Sequence, residues 1–223
     1  MTRGTLLLVS AGLCIGVSAA SAQVSKQGAR YLFRLHLTQG EKLNFKVPFS
    51  ISGLADQPMY FHFGMRMKVL SVSKTGKATV HCDVDTGKIP LPGNAPKNGS
   101  FDVDQRGRVG DEGSAPVGFC VLYPKDPVPI GGTFVAPVPS AVGGSLGGGV
   151  GGAQATFTFV GLSDFEGKRV ARLTFHVTGN KDPGGSILIR VSDGVIQKYF
   201  TTFIALTPQA GKPVTVSATI LRY

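Results

Sequence analysis

Along most of this chain, apolar residues return at every second position. Tyr31, Phe33, Leu35 and Leu37 alternate with Leu32, Arg34 and His36, and Leu43, Phe45, Val47, Phe49 and Ile51 alternate with Lys42, Asn44, Lys46, Pro48 and Ser50. The same phase recurs in Phe61, Phe63, Met65, Met67 and Val69, in Ala78, Val80, Cys82 and Val84, and in Ala155, Phe157 and Phe159. It returns again in Ala171, Leu173, Phe175 and Val177. Successive side chains of a strand point to opposite faces, so a period of two predicts strands with one buried and one solvated face. Nothing outside the first 22 residues has a helical period.

Short turn sequences separate these runs. Gln39-Gly40, Ser73-Lys74-Thr75-Gly76, the segment Ser163 to Lys168, and Asp193-Gly194 all leave too little chain for a crossover, which forces antiparallel neighbours. Asp193-Gly194 carries the strongest two-residue hairpin signal. Pro48 cannot donate to a ladder, which places its strand at an edge or at a bulge. A strand from Met59 to Val72 would be unusually long, and Gly64 is where a bend or bulge is expected. Phe101 to Asp104 is a short strand turning back through Val109, Val117 to Tyr123 is a short apolar run, and Ile187 to Ser192, Val195 to Leu206 and Val214 to Arg222 complete the series. The expected fold is all-β: an antiparallel meander forming a curved sheet, half-barrel or sandwich, with a Pro/Gly-rich loop.

That loop spans residues 124–152. Five prolines surround Gly131 to Ala136, and seven of the ten residues from Gly143 to Gly152 are glycine, a composition whose ordering costs much backbone entropy. The reading is one β domain over residues 23–223 behind a leader over 1–22. Arg3, the apolar run Leu6 to Val17 and the small residues Ala20-Ser21-Ala22 have the form of a secretion signal cut before Gln23, implying a periplasmic or extracellular protein. No later run could span a bilayer as a helix. Loss of Arg3 with the leader lowers the formal charge from +10 to +9. The basic residues are dispersed and not clustered with aromatics, which suits a solvated face with no partner first, then an anionic envelope partner such as a membrane surface or polysaccharide, and nucleic acid least.

Candidate chemistry is sparse. Cys82 and Cys120 form an even pair that an oxidising compartment could join as a disulfide or that could remain as free core thiols. Asn98-Gly99-Ser100 spells a glycosylation sequon. Gly143-Gly144-Ser145-Leu146-Gly147 spells a nucleophile elbow, and Gly147, Gly149 and Gly152 a dinucleotide fingerprint, but both need a strand-to-helix turn that prolines and glycines deny them. His36, His62, His81 and His176 fall on the polar phase of their strands, where a solvated face accounts for them; a metal site would need His62, His81 and Asp83 to converge. The 14 Phe residues, with no Trp, supply core. Phe61, Phe63, Met65, Met67, Phe157 and Phe159 could alternatively line a concave sheet face for an apolar ligand. No catalytic, metal or cofactor-binding residue is assigned.

The order of the Tyr31-Leu32-Phe33-Arg34 strand, the Gly40 turn, Met65 to Val72 with Gly76, and Phe101-Asp102-Val103-Asp104 before Gly107 resembles uncharacterised exported bacterial β-rich proteins. Pro129-Ile130-Gly131-Gly132-Thr133-Phe134 is similar to their Gly-x-x-Trp element, with Phe134 in place of Trp. A fainter similarity is to periplasmic lipoprotein-carrier half-barrels, which implies a curved sheet around an acyl-binding cavity. The functional expectation is an exported, non-catalytic cell-envelope protein of unknown role, which either binds an apolar, lipidic or envelope ligand on a concave sheet face or serves structurally. A small outer-membrane barrel and a hydrolase using Ser145 are the alternatives.

Overall fold

The computed structural model describes residues 23–85, 87, 98–110, 118–139, 154–178, 184–206 and 213–223. The leader, the sequence around Ser145 and the whole glycine tract therefore lie outside the described residues. The strands are β1 (Val24–Gln27), β2 (Arg30–Phe33), β3 (Lys42–Ser52), β4 (Met59–Val72), β5 (Ala78–Asp85), β6 (Asn98–Val103) and β7 (Val128–Pro129). They continue with β8 (Thr133–Pro137), β9 (Gln154–Phe165), β10 (Lys168–Val177), β11 (Gly184–Arg190), β12 (Ile196–Leu206) and β13 (Pro213–Arg222). The described residues contain no helix, as the uniform period of two requires.

Ten strands form one curved antiparallel sheet in the order β6-β5-β4-β3-β13-β12-β11-β10-β9-β8, and β1-β2-β7 form a second, three-stranded sheet. The large sheet is thus two meanders, β3 to β6 and β8 to β13, joined where the last strand lies against β3. It is open, with β6 and β8 at its edges. Its apolar phase is buried in a single core while Lys42, Lys46, Arg66 and Lys68 stand on the other face. A transmembrane barrel needs a closed ring and an apolar exterior, so the outer-membrane alternative is not the architecture found.

Several local expectations are corrected. β3 lies in the interior of the sheet, and Pro48 is neither at an edge nor in a bulge. It pairs with His62 on β4, while toward β13 the partners Ala218↔Phe49 and Leu221↔Lys46 keep one register on either side of a gap at Val47 and Pro48. The ladder simply skips the residue that has no N–H. Pairing also runs evenly through Gly64, and the irregularity in β4 falls between Val69 and Ser71. Two-residue hairpins fall at Gly28-Ala29, between Gln27↔Arg30, and at Glu166-Gly167, whose two residues are both at positive φ (49° and 72°) between the closing pair Phe165↔Lys168. Asp193-Gly194 sits instead in a wider connection, closed by Arg190 N donating to Val195 O, and Asp193 is engaged there by arginine side chains. The strand expected from Tyr31 to Leu37 ends at Phe33.

The small sheet closes the core. Phe33 meets Phe159 edge-on at 5.1 Å and stacks on Tyr123 at 5.9 Å, and Tyr31 also meets Phe159 at 5.1 Å. Such ring pairs add to plain area burial. The apolar run ending at Tyr123 is not a strand; it is a strap held by side chains. Arg34 donates to the carbonyls of Pro124 (3.0 Å) and Lys125 (2.8 Å), Arg106 Nε donates to Tyr123 O (3.0 Å), and Tyr123 Oη donates to Gly194 O. Gly107, at φ 80°, lies so close beneath the Val121 carbonyl that a Cβ there would collide with it. The core is therefore sheet against small sheet and strap.

Candidate ligand-binding face

One row of side chains on the inner face can be followed across eight strands by register. From β8 to β4 it reads Phe134, Phe157, Phe175, Gly185, Thr201, Ala218, Phe49, Phe61. Phenylalanines stand at both ends, with ring centroids 5.2 Å apart for Phe134 and Phe157, 5.4 Å for Phe157 and Phe175, and 5.0 Å for Phe49 and Phe61. Between the two groups lie three small residues on β11, β12 and β13. The backbones of β10 and β3, which carry the flanking Phe175 and Phe49, are four strand spacings or about 19 Å apart. Gly185 is required where it is: a Cβ there would meet the ring of Phe175, which leans over it, and the backbone of β12.

The adjoining row is large throughout, with Leu173, Ile187, Tyr199 and Ile220 all buried. On the other side, burial falls. Thr201 and Ala218 are buried, whereas Ile51, Met59, Phe61 and Val216 on the inner face are half-exposed. The small-residue floor thus borders an apolar margin partly open to solvent.

The six residues expected to line an apolar face all take the inner phase. Phe63, Met65, Met67, Phe157 and Phe159 are buried in the core, and Phe61 is half-buried against it. Phe61 to Met67 belong to β4 and Phe157 and Phe159 to β9, with five strands between them, so they make two opposite flanks. Phe159 is already covered by Phe33 and Tyr31. Gly185, Thr201, Ala218, Phe49 and Phe175 were not singled out by sequence; alternation marks their phase, but only register places them in one row.

At the far end of β13 the inner face turns polar. Arg222 donates from Nη1 to Asp193 Oδ2 (2.7 Å) and from Nη2 to Glu41 (3.2 Å), and Arg190 holds the same Asp193 oxygen through Nη2 (2.6 Å) and Nε (2.8 Å). Buried Gln197 donates to the Arg222 carbonyl at 3.0 Å. Burial pushes the Tyr123 and Tyr199 hydroxyls well above the usual phenol range, which keeps both neutral.

The histidines do not converge. His36, His62 and His176 are exposed, and half-buried His81 contacts Ser100 (3.0 Å) and Asp83 (3.2 Å). His81 is opposite Lys68, and His62 lies six residues further along β4, roughly 20 Å away at strand rise, so the His62, His81 and Asp83 cluster does not form. Asn98, of the sequon, opens the edge strand β6 and is exposed. Cys82 and Cys120 are buried free thiols, not a disulfide. Cys82 sits in β5, where burial and then Asp83 push its thiol up to about 11, and the Sγ of Cys120 lies 3.9 Å from Gly107 O, in full burial that raises its thiol further.

No family model matches the chain, and no curated protein matches it. Solved structures that resemble it include the following two. One is lipovitellin, in a structure concerned with lipid–protein interactions, at 12% identity and a TM-score of 0.42; the match covers 83% of this chain but 25% of that one. The other is a DUF1329 family protein from Desulfovibrio piger, at 9% identity and a TM-score of 0.24 over 82% of this chain and 84% of that one. At TM-scores below 0.5, neither likeness bears on function.

Proposed function

We propose that this is an exported, non-catalytic binding protein whose inner sheet face takes a slender apolar ligand such as an acyl chain. The observation that carries the reading is the run Gly185, Thr201, Ala218 between Phe175 and Phe49. A core closed only on itself sets large residues opposite small ones so that facing layers interdigitate, whereas the adjoining row is large throughout. Three consecutive small residues lower the side-chain volume between the two groups of rings; protein covers them here, with Phe175 leaning over Gly185, so a chain one methylene wide would take this row by displacing that ring. Ile51, Met59, Phe61 and Val216 form the apolar margin from which it enters. Burial contributes roughly 0.8 kcal/mol per methylene, so a chain half enclosed here binds without any charged partner.

The test is mass spectrometry of the protein purified from its native source, together with titration of a fluorescent fatty acid. A co-purified lipid and saturable binding that Ala218→Met abolishes, with the melting temperature preserved, support the reading. Binding unchanged in Ala218→Met removes it. The same spectra read the export step: an exported chain beginning at Gln23 is expected, and one retaining Met1 contradicts it.

A further inference from the structure

The six adjacent strands β4, β3, β13, β12, β11 and β10 contain ten Lys and Arg residues and no Asp or Glu. Arg190 and Arg222 of this set bond to Asp193, and Arg169 pairs with Asp164 at the β9–β10 turn. Lys42, Lys46, Arg66, Lys68, Arg172 and Lys198 take the outer phase, and among the described residues none has a carboxylate within ion-pair distance. Lys42 and Lys68 are directly opposed across β3 and β4, with His81 next in the row. Like charges in that position destabilise a sheet. The charge that looks dispersed in sequence is thus gathered on one face.

The same face exposes apolar groups. Tyr60 (78% exposed), Ile204 (60%), Tyr223 (64%) and Phe200 (41%) stand among the lysines, and Lys46 Nζ lies 4.9 Å from the centre of the Tyr223 ring. Phosphates or sugars of a soluble polyanion would satisfy the lysines but leave Ile204 and Phe200 in water. A bilayer surface satisfies both, since anionic headgroups meet the ammonium groups while aromatic and aliphatic side chains reach the acyl boundary.

We infer that this outer face docks on an anionic phospholipid bilayer, with Lys42, Lys46 and Lys68 in the headgroup layer and Tyr60, Phe200 and Ile204 at the acyl boundary. The inference does not depend on the inner face holding a ligand. If both hold, the sheet lies on its lipid source with the trough turned away from it.

Sedimentation with vesicles of phosphatidylcholine containing one-third phosphatidylglycerol tests it, using the full chain and its Lys42→Gln/Lys46→Gln/Lys68→Gln variant. Both chains carry residues 1–22, so any difference between them belongs to the face. Each neutralised lysine should weaken binding about fivefold, or about a hundredfold for the three. Binding should fail near 1 M salt, where screening extends only about 3 Å, and Phe200→Ser/Ile204→Ser should weaken it while sparing the melting temperature. Equal binding by the parent chain and the lysine variant overturns the inference. So does heparin, offered without vesicles, binding as tightly as the anionic vesicles and indifferently to Phe200→Ser/Ile204→Ser, which would make the face a polyanion site.

Discussion

Asp193 joins three parts of the fold through one side chain. Its Oδ2 accepts from Arg190 on β11 and Arg222 on β13, its Oδ1 accepts from Val195 N at 2.9 Å, and its backbone carbonyl accepts from His36 N at 2.8 Å. The Arg222 side chain is 8% exposed and that of Asp193 11%. In Asp193→Asn the Oδ1 position can still receive Val195, but the charge is gone and an amide confronts two guanidinium groups. Removing one partner of a buried pair leaves an uncompensated charge, at a cost of about 3–5 kcal/mol. The exposed pair Arg169–Asp164, at 53% and 71%, is the control, and Asp164→Asn should cost less than about 1 kcal/mol. Urea unfolding at neutral pH separates the two, because 3–5 kcal/mol moves the midpoint by more than about 1 M at slopes of 1–3 kcal/mol/M. Adding Arg222→Met to Asp193→Asn should recover part of the loss, since it removes a buried guanidinium that would keep Glu41 as its one remaining carboxylate. If Asp193→Asn costs no more than Asp164→Asn, or if Arg222→Met deepens the loss, the network does not hold the fold as described.

Phe157 is fully buried between Phe134 and Phe175, so Phe157→Ala should cost about 3–5 kcal/mol, whereas exposed His62→Ala should stay within about 0.5 kcal/mol; the reverse order in denaturant titration would mean the faces are misassigned. Stability should fall as pH rises from about 9 to 11, because the native state holds the Cys82 proton up to about 11 while the unfolded chain releases it near 8.5. Cys82→Ala should remove about half of that slope, since Cys120, whose thiol is raised further, loses stability over the same range and, with Tyr123 and Tyr199, continues the decline above it. Glu166 is the described non-glycine residue at positive φ; Glu166→Asn should raise the unfolding free energy by up to about 1 kcal/mol, and a loss would show that Glu166 makes a compensating contact.

Alternation alone was enough to draw β3, β4, β9 and β10, to assign their inner and outer phases, and to send His36, His62 and His176 outward. These features were legible because a strand's two faces are a local property: residue i and residue i+2 share a side whatever the partner strand is. Pro48 shows where such reading stops. A proline in a strand argues for an edge on local grounds, yet β3 became interior because β13, some 170 residues further along, pairs on both sides of a gap in the ladder. The Asp193-Gly194 turn is wider than its two-residue signal, and its carboxylate bonds to Arg222, 29 residues away. Likewise the run Gly185, Thr201, Ala218 exists only through register, as each residue is unremarkable within its own strand. Lysines dispersed in sequence came together on the outer phase of six adjacent strands by the same process, when two meanders were joined at β3 and β13. The sequence by itself determined which residues face in and which face out; strand order and register, which depend on contacts between distant segments, decided which of them meet.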